Sequence, residues 1–111
     1  MDYFFSSELV NEVEPPAQGI LSRTLYNDDH VKVVIFGFSP GQELSAHTAP
    51  FPADLIFLRG EGKLTLGTDE RNVRAGSFAH MTPNLPHAIV AATPLVMALI
   101  MIKGLRNDGR A

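Results

Sequence analysis

The side chains best suited to chemistry in this sequence are its histidines. Of the four, His47, His80 and His87 lie in or beside apolar, strand-like runs, while His30 sits in a polar turn beside Asp29. A buried imidazole must satisfy its ring nitrogens or bind something. A neutral imidazole is also a metal ligand and a proton acceptor near neutral pH. A lone histidine on an apolar strand is usually a hydrogen-bonded core residue; three in one small domain point toward a shared site. His30 reads as surface.

Other chemistries lack their residues. The 111 residues contain no cysteine, which excludes a disulfide framework, a thiolate zinc site, an iron–sulfur cluster and a cysteine nucleophile. There is no Gly-x-Ser-x-Gly elbow, and neither Ser39 nor Ser45, though near His47, carries a sign of activation. No glycine-rich loop precedes a helix, so a phosphate cradle is absent. Asp28-Asp29 and Asp69-Glu70 read as solvated turn acids. Twelve acidic residues against nine basic ones give a net charge of −3, with no cationic face for nucleic acid or an anionic membrane. Arg59, Arg71 and Arg74 flank hairpins and read as a solvated face.

The elements that must position the histidines are short strands. Eight prolines and nine glycines cut the chain into pieces too short for long helices. A short helix is expected near Ser6 to Glu12, ended by Pro15-Pro16. Strands are expected at 20–26, 31–38, 44–47, 55–58, 63–66, 72–74, 78–81, 87–91 and 95–102. Turn signals at eight- to twelve-residue spacing argue for an antiparallel sandwich or barrel. The expected organisation is one all-β domain over 1–111. Its core lies at about 20–102, with an N-terminal helix and arm over 1–19 and a polar tail over 103–111. The N-terminus has no basic region followed by a long apolar one, and the longest apolar stretch, Pro94 to Ile102, is too short to span a bilayer as a helix. A cytoplasmic protein is expected.

The spacing around the histidines resembles the two sequence motifs of the cupin family. The first has the form G-x5-H-x-H-x(3,4)-E-x6-G; here Gly41, His47 and Gly60 keep their places. The second has the form G-x5-P-x-G-x2-H; here Gly76 and His87 are kept, Pro83 stands one place late, and Asn84 occupies the second glycine position. Asn tolerates the left-handed backbone that glycine supplies. The resemblance runs from about Val31 to Ile102. It implies an antiparallel jelly-roll barrel (a double-stranded β-helix), and a metal site built from two first-motif histidines, a glutamate and the second-motif histidine. Carried over by position, His47 and His87 remain, the second histidine is Ala49 and the glutamate is Ala53. Asp54 points away from the site if its strand is regular. Glu43 shares a face with His47 in a regular strand but stands roughly 13 Å away. His80 is the spare ligand, its facing undetermined.

Two pictures of the site follow. In one, His47 and His87, with His80, hold a divalent transition metal (Fe, Mn, Ni, Cu or Zn) in a dioxygenase-like enzyme. In the other, Ala49, Phe51 and Ala53, with Phe57 and Met81, form the wall of a metal-free pocket that binds or senses a small molecule. Phe36, Phe38, Phe57 and Phe78 read mainly as core, as do Met81, Met97 and Met101. A third picture takes Tyr3, Phe4 and Phe5 as cover for a sheet edge or as a homodimer surface, the partner surface itself being the function.

Overall fold

Residues 2–103 are described by the computed structural model. They form nine antiparallel strands: β1 (Ile20–Asn27), β2 (Val31–Phe38), β3 (Glu43–His47), β4 (Ala53–Arg59), β5 (Glu61–Leu66), β6 (Asp69–Arg74), β7 (Phe78–Met81), β8 (His87–Ala91) and β9 (Leu95–Ile102). Five form one sheet in the order β1-β2-β9-β4-β7, and four form a second in the order β3-β8-β5-β6. Strand order jumps between sheets, as a jelly roll requires. The expected strands are all present; β4, β5 and β6 start two to three residues earlier than the turn signals indicate. Leu66 pairs with Asp69, so the β5–β6 turn is the two residues Gly67-Thr68, with Gly67 at φ 63°. A leading glycine with positive φ is the type II′ pattern that suits hairpin twist.

The expected N-terminal helix is only a single 3-10 turn, Leu9–Glu12, and no side chain caps it. Ser6 Oγ instead donates to the Glu12 carboxylate at 2.7 Å. This turn lies on the outer face of the five-stranded sheet, where Leu9, Val10 and Val13 cover Ile35 and Val96. The main core fills the space between the sheets: Phe38, Leu55, Phe57, Leu64, Ile89, Leu95 and Met97 are almost wholly buried. Burying side chains of this size stabilises by about 1.5–3 kcal/mol each. Phe78 departs from the core reading, being 62% exposed. No helix among the described residues is long and apolar enough to cross a membrane. Of the expected polar tail, residues 104–111 lie outside the described residues.

Two glycines are required by geometry. A Cβ on Gly60 would stand 2.0 Å from the Pro94 carbonyl oxygen, and its φ is 87°. Gly41 has φ 83° and donates its N–H to the Ala91 carbonyl at 2.7 Å. Asn84, at φ 67°, is the one non-glycine residue among the described residues with positive φ. It takes the conformation expected of it at the second motif's glycine position, and its N–H donates to Ala49 at 2.7 Å.

Candidate functional site

His47 and His87 meet across the two sheet partners β3 and β8. They are register partners, and their ring centroids lie 4.3 Å apart at an interplanar angle of 56°. The pairing depends on an irregularity in β3. Leu44 pairs with Ile89 and His47 with His87, so three steps on β3 match two on β8. This bulge adds one residue and reverses the alternation. Leu44, which packs on the core, and His47 therefore share the inner face. Glu43 pairs with the exposed Val90 and is itself exposed. The regular-strand reading that put Glu43 on the face of His47 is thereby corrected.

Both imidazoles are held in the same way. The Nδ1 of His47 lies 2.9 Å from the Ser45 carbonyl oxygen, and the Nδ1 of His87 lies 2.9 Å from that of Leu85. A carbonyl only accepts, so each Nδ1 carries the proton and each neutral ring keeps its lone pair on Nε2. His87 is buried and His47 is open to solvent on one side. Among the described residues, no fully buried side-chain nitrogen or oxygen lacks a partner. The pair can accept hydrogen bonds, take up a proton or ligate a cation.

The rings form one wall of a cavity of about 130 Å³. Ala49 and Phe51 belong to the β3–β4 loop, and Ala53 of β4 stands on the sheet opposite the rings. Met81 stands at the end of β7, with Thr82 and Leu85 in the loop beyond it. Leu99 and Met101 of β9 close the far side. Apart from the two imidazoles and the Thr82 hydroxyl, every lining side chain is apolar. A larger hollow of about 490 Å³, bounded by Glu61, Lys63 and Asn72, is an open groove.

Of the site residues read from the sequence, the structure gathers His47, His87, Ala49, Phe51, Ala53 and Met81 around this cavity. It does not bring His80 there. On β7 Ala79 and Met81 turn inward, so Phe78 and His80 face out. His80 pairs in register with Asp54, and its Nδ1 lies 2.6 Å from the Asp54 carboxylate. Asp54 does point away from the cavity, as a regular β4 requires. Phe57 faces inward but lies four residues deeper along β4, in the closed core and not on the cavity wall. Ser39 is not activated: its Oγ accepts the Gly19 N–H at 3.0 Å. His30 is exposed, as expected. Sequence reasoning missed Thr82, Leu85 and Leu99, and placed Met101 in the core. Their common signal, an inward position at the same end of the barrel, becomes visible only with the sheet order.

Comparison with known proteins supplies the wider context. No curated protein matches the chain. A solved structure of a conserved protein of unknown function from Streptococcus pyogenes is 27% identical, with a TM-score of 0.81, covering 93% of this chain and 90% of that one. A cupin 2 conserved barrel domain protein from Leptotrichia buccalis is 33% identical, with a TM-score of 0.79, covering 86% of this chain and 46% of that one. A cupin superfamily protein from Desulfitobacterium hafniense shares the fold at 21% identity, with a TM-score of 0.81 over 86% of this chain and 87% of that one. The family model described as a cupin domain matches residues 34–103, which include every strand from β3 to β9 and most of β2. By that match, the chain belongs to the cupin domain family.

Proposed function

We propose that this cupin domain binds a compact, largely apolar organic molecule in the cavity beside His47 and His87, the two imidazoles accepting hydrogen bonds from its polar end. The observation that carries the reading is the pair of Nδ1-anchored rings, 4.3 Å apart, on an otherwise apolar wall. Small-molecule sites typically combine an apolar lining with a few fixed polar groups. A cavity of about 130 Å³ is close to the size, roughly 150 Å³, that accepts benzene in an engineered protein core.

The divalent metal implied by the family resemblance fits these donors poorly. Two imidazoles are present, but the other two ligand positions are Ala49 and Ala53. His80 is engaged with Asp54 on the opposite face. Among the described residues, no group of three or more His, Asp or Glu side chains could hold a metal ion. Catalytic zinc sites ordinarily use three protein ligands.

Phenol and benzene are suitable probes because they differ by one hydroxyl. Long-range proton–nitrogen NMR of the histidine rings reads the contact directly. Phenol should shift the Nε2 resonances of His47 and His87 and leave those of His30 and His80 in place. Unmoved His47 and His87 resonances at saturating phenol would overturn the reading.

A homodimer is the second element of the proposal. Its support is apolar surface: Tyr3 and Phe5 are each 74% exposed and Phe78 is 62% exposed. Phe4 packs on Tyr26 of edge strand β1, with centroids 6.0 Å apart, leaving its neighbours outward.

A further inference from the structure

The cavity contains two sulfur donors besides the histidines. On the inner face, Ala53 pairs with Met81 of β7 on one side and with Met101 of β9 on the other. Two thioethers thus flank the position where the family motif would place a carboxylate. Both line the same cavity as His47 and His87.

We propose that this cavity binds Cu(I), through Nε2 of His47 and His87 and at least one of the Met81 and Met101 sulfurs. Three observations carry the inference. The first is donor type: thioether sulfur is soft and selects Cu(I), and imidazole also suits copper. Hard divalent ions prefer oxygen donors, and the only oxygen donor among the lining side chains is the Thr82 hydroxyl. The second is charge. All four donors are neutral and the rest of the wall is nearly all apolar, so the ion's charge enters without a counter-charge. The electrostatic cost of desolvating an ion rises with the square of its charge, so a monovalent ion meets a quarter of the penalty of a divalent one. The third is preparation: each imidazole already has its Nδ1 proton fixed on a backbone carbonyl, the arrangement that orients a metal-bound histidine. Methionine in a core is ordinarily a flexible filler. What sets Met81 and Met101 apart is that the residue between them is an alanine facing two anchored imidazoles.

The inference goes beyond the organic-ligand reading and does not rest on it. The organic molecule needs the apolar volume and the imidazoles; the cation needs the sulfurs as well. An anaerobic titration of the full chain with Cu(I), in competition with bicinchoninate, is expected to show one ion per chain. Loss of second-shell partners alone weakens metal sites by 10–100-fold, so the M81L/M101L variant should lose about tenfold or more in Cu(I) affinity. Leucine conserves volume and removes the sulfur. In the parent chain, the diamagnetic analogue Ag(I) should shift the methyl resonance of Met81 or Met101 together with Nε2 of both histidines. Cu(I) affinity unchanged in the double variant, or methionine methyls unmoved by stoichiometric Ag(I), would overturn the proposal. If the double variant does not fold, the methyl shifts of the parent chain decide. Copper binding without phenol binding would sink the organic-ligand reading alone; the converse would sink this one alone.

Discussion

Installing the missing carboxylate, Ala53→Glu, probes the cavity from the inside. Ala53 is 4% exposed, faces His47 and His87 across the cavity and has Met81 and Met101 beside it. With both imidazoles neutral, the Thr82 hydroxyl is the one hydrogen-bond donor left among the lining side chains, so an ionised acid at position 53 is short of partners. Leaving a buried polar group unsatisfied costs about 1–3 kcal/mol. For a domain of this size, 1 kcal/mol moves the midpoint by about 4–8 °C, so without metal the variant should melt about 5–20 °C lower. With Zn²⁺ present, the variant presents two imidazoles and a carboxylate, a ligand set that zinc accepts. Metal at about 1,000 times its Kd contributes about 4 kcal/mol, enough to raise the variant to or above its parent. The parent, with two nitrogen donors and no acid, should gain much less. Thermal unfolding by circular dichroism, in EDTA and in zinc, reads all four states. An A53E chain as stable as the parent in EDTA would show that position 53 does not face a desolvated cavity. Equal zinc stabilisation of both chains would show that the donor set was not short of a ligand.

Three further outcomes are expected. Asp28 accepts from the Tyr26 hydroxyl at 2.6 Å and from the N–H groups of His30 and Val31 at 2.7 and 2.9 Å. The tyrosine bond first, then the two N–H bonds, lower its pKa from 3.8 to about 2. A lowered carboxylate pKa stabilises the fold above the unfolded value and loses that contribution as pH falls from about 4 toward 2. Unfolding of Asp28→Asn should therefore depend less on pH across that window, and a carboxyl-carbon NMR titration of Asp28 with its midpoint near 4 would refute the assignment. Gly60→Ala combines a positive φ with a clash on Pro94, so urea unfolding should show a loss of roughly 2–5 kcal/mol; a loss under 1 kcal/mol would contradict the close approach. Sedimentation at micromolar concentration should give a dimer that weakens when Tyr3 and Phe5 are replaced by serine, whereas a monomeric parent chain would remove the dimer reading.

Much of the fold was legible because punctuation and composition agree. Asn27-Asp28-Asp29, Ser39-Pro40-Gly41 and Pro83 to Pro86 mark turns that the chain makes, and the β-branched runs between them pair. The retained motif positions located His47 and His87. What failed was facing. The bulge in β3 reversed the inside and outside of one strand without a local sign such as a glycine, and it moved Glu43 out while bringing His47 in. On β7, Phe78 and His80 share a face, and the aromatic there suggested core; on this edge strand that face is exposed. Strand β9 is apolar from Leu95 to Ile102, so alternation could not indicate that Leu99 and Met101 line the cavity. Residues that meet only through sheet order leave no pattern along the chain.

Whether the imidazole pair and the apolar cavity act together as one ligand site is read most directly by comparing phenol and benzene calorimetrically. One phenol hydroxyl hydrogen-bonded to imidazole contributes about 0.5–1.5 kcal/mol net, roughly two- to tenfold in affinity. The parent chain should bind both probes and favour phenol by about that factor. The H47F/H87F variant, which keeps two rings but no imidazole acceptor, should lose that preference. A phenol preference that survives loss of both histidines, or a chain that binds neither probe, would contradict a single shared site.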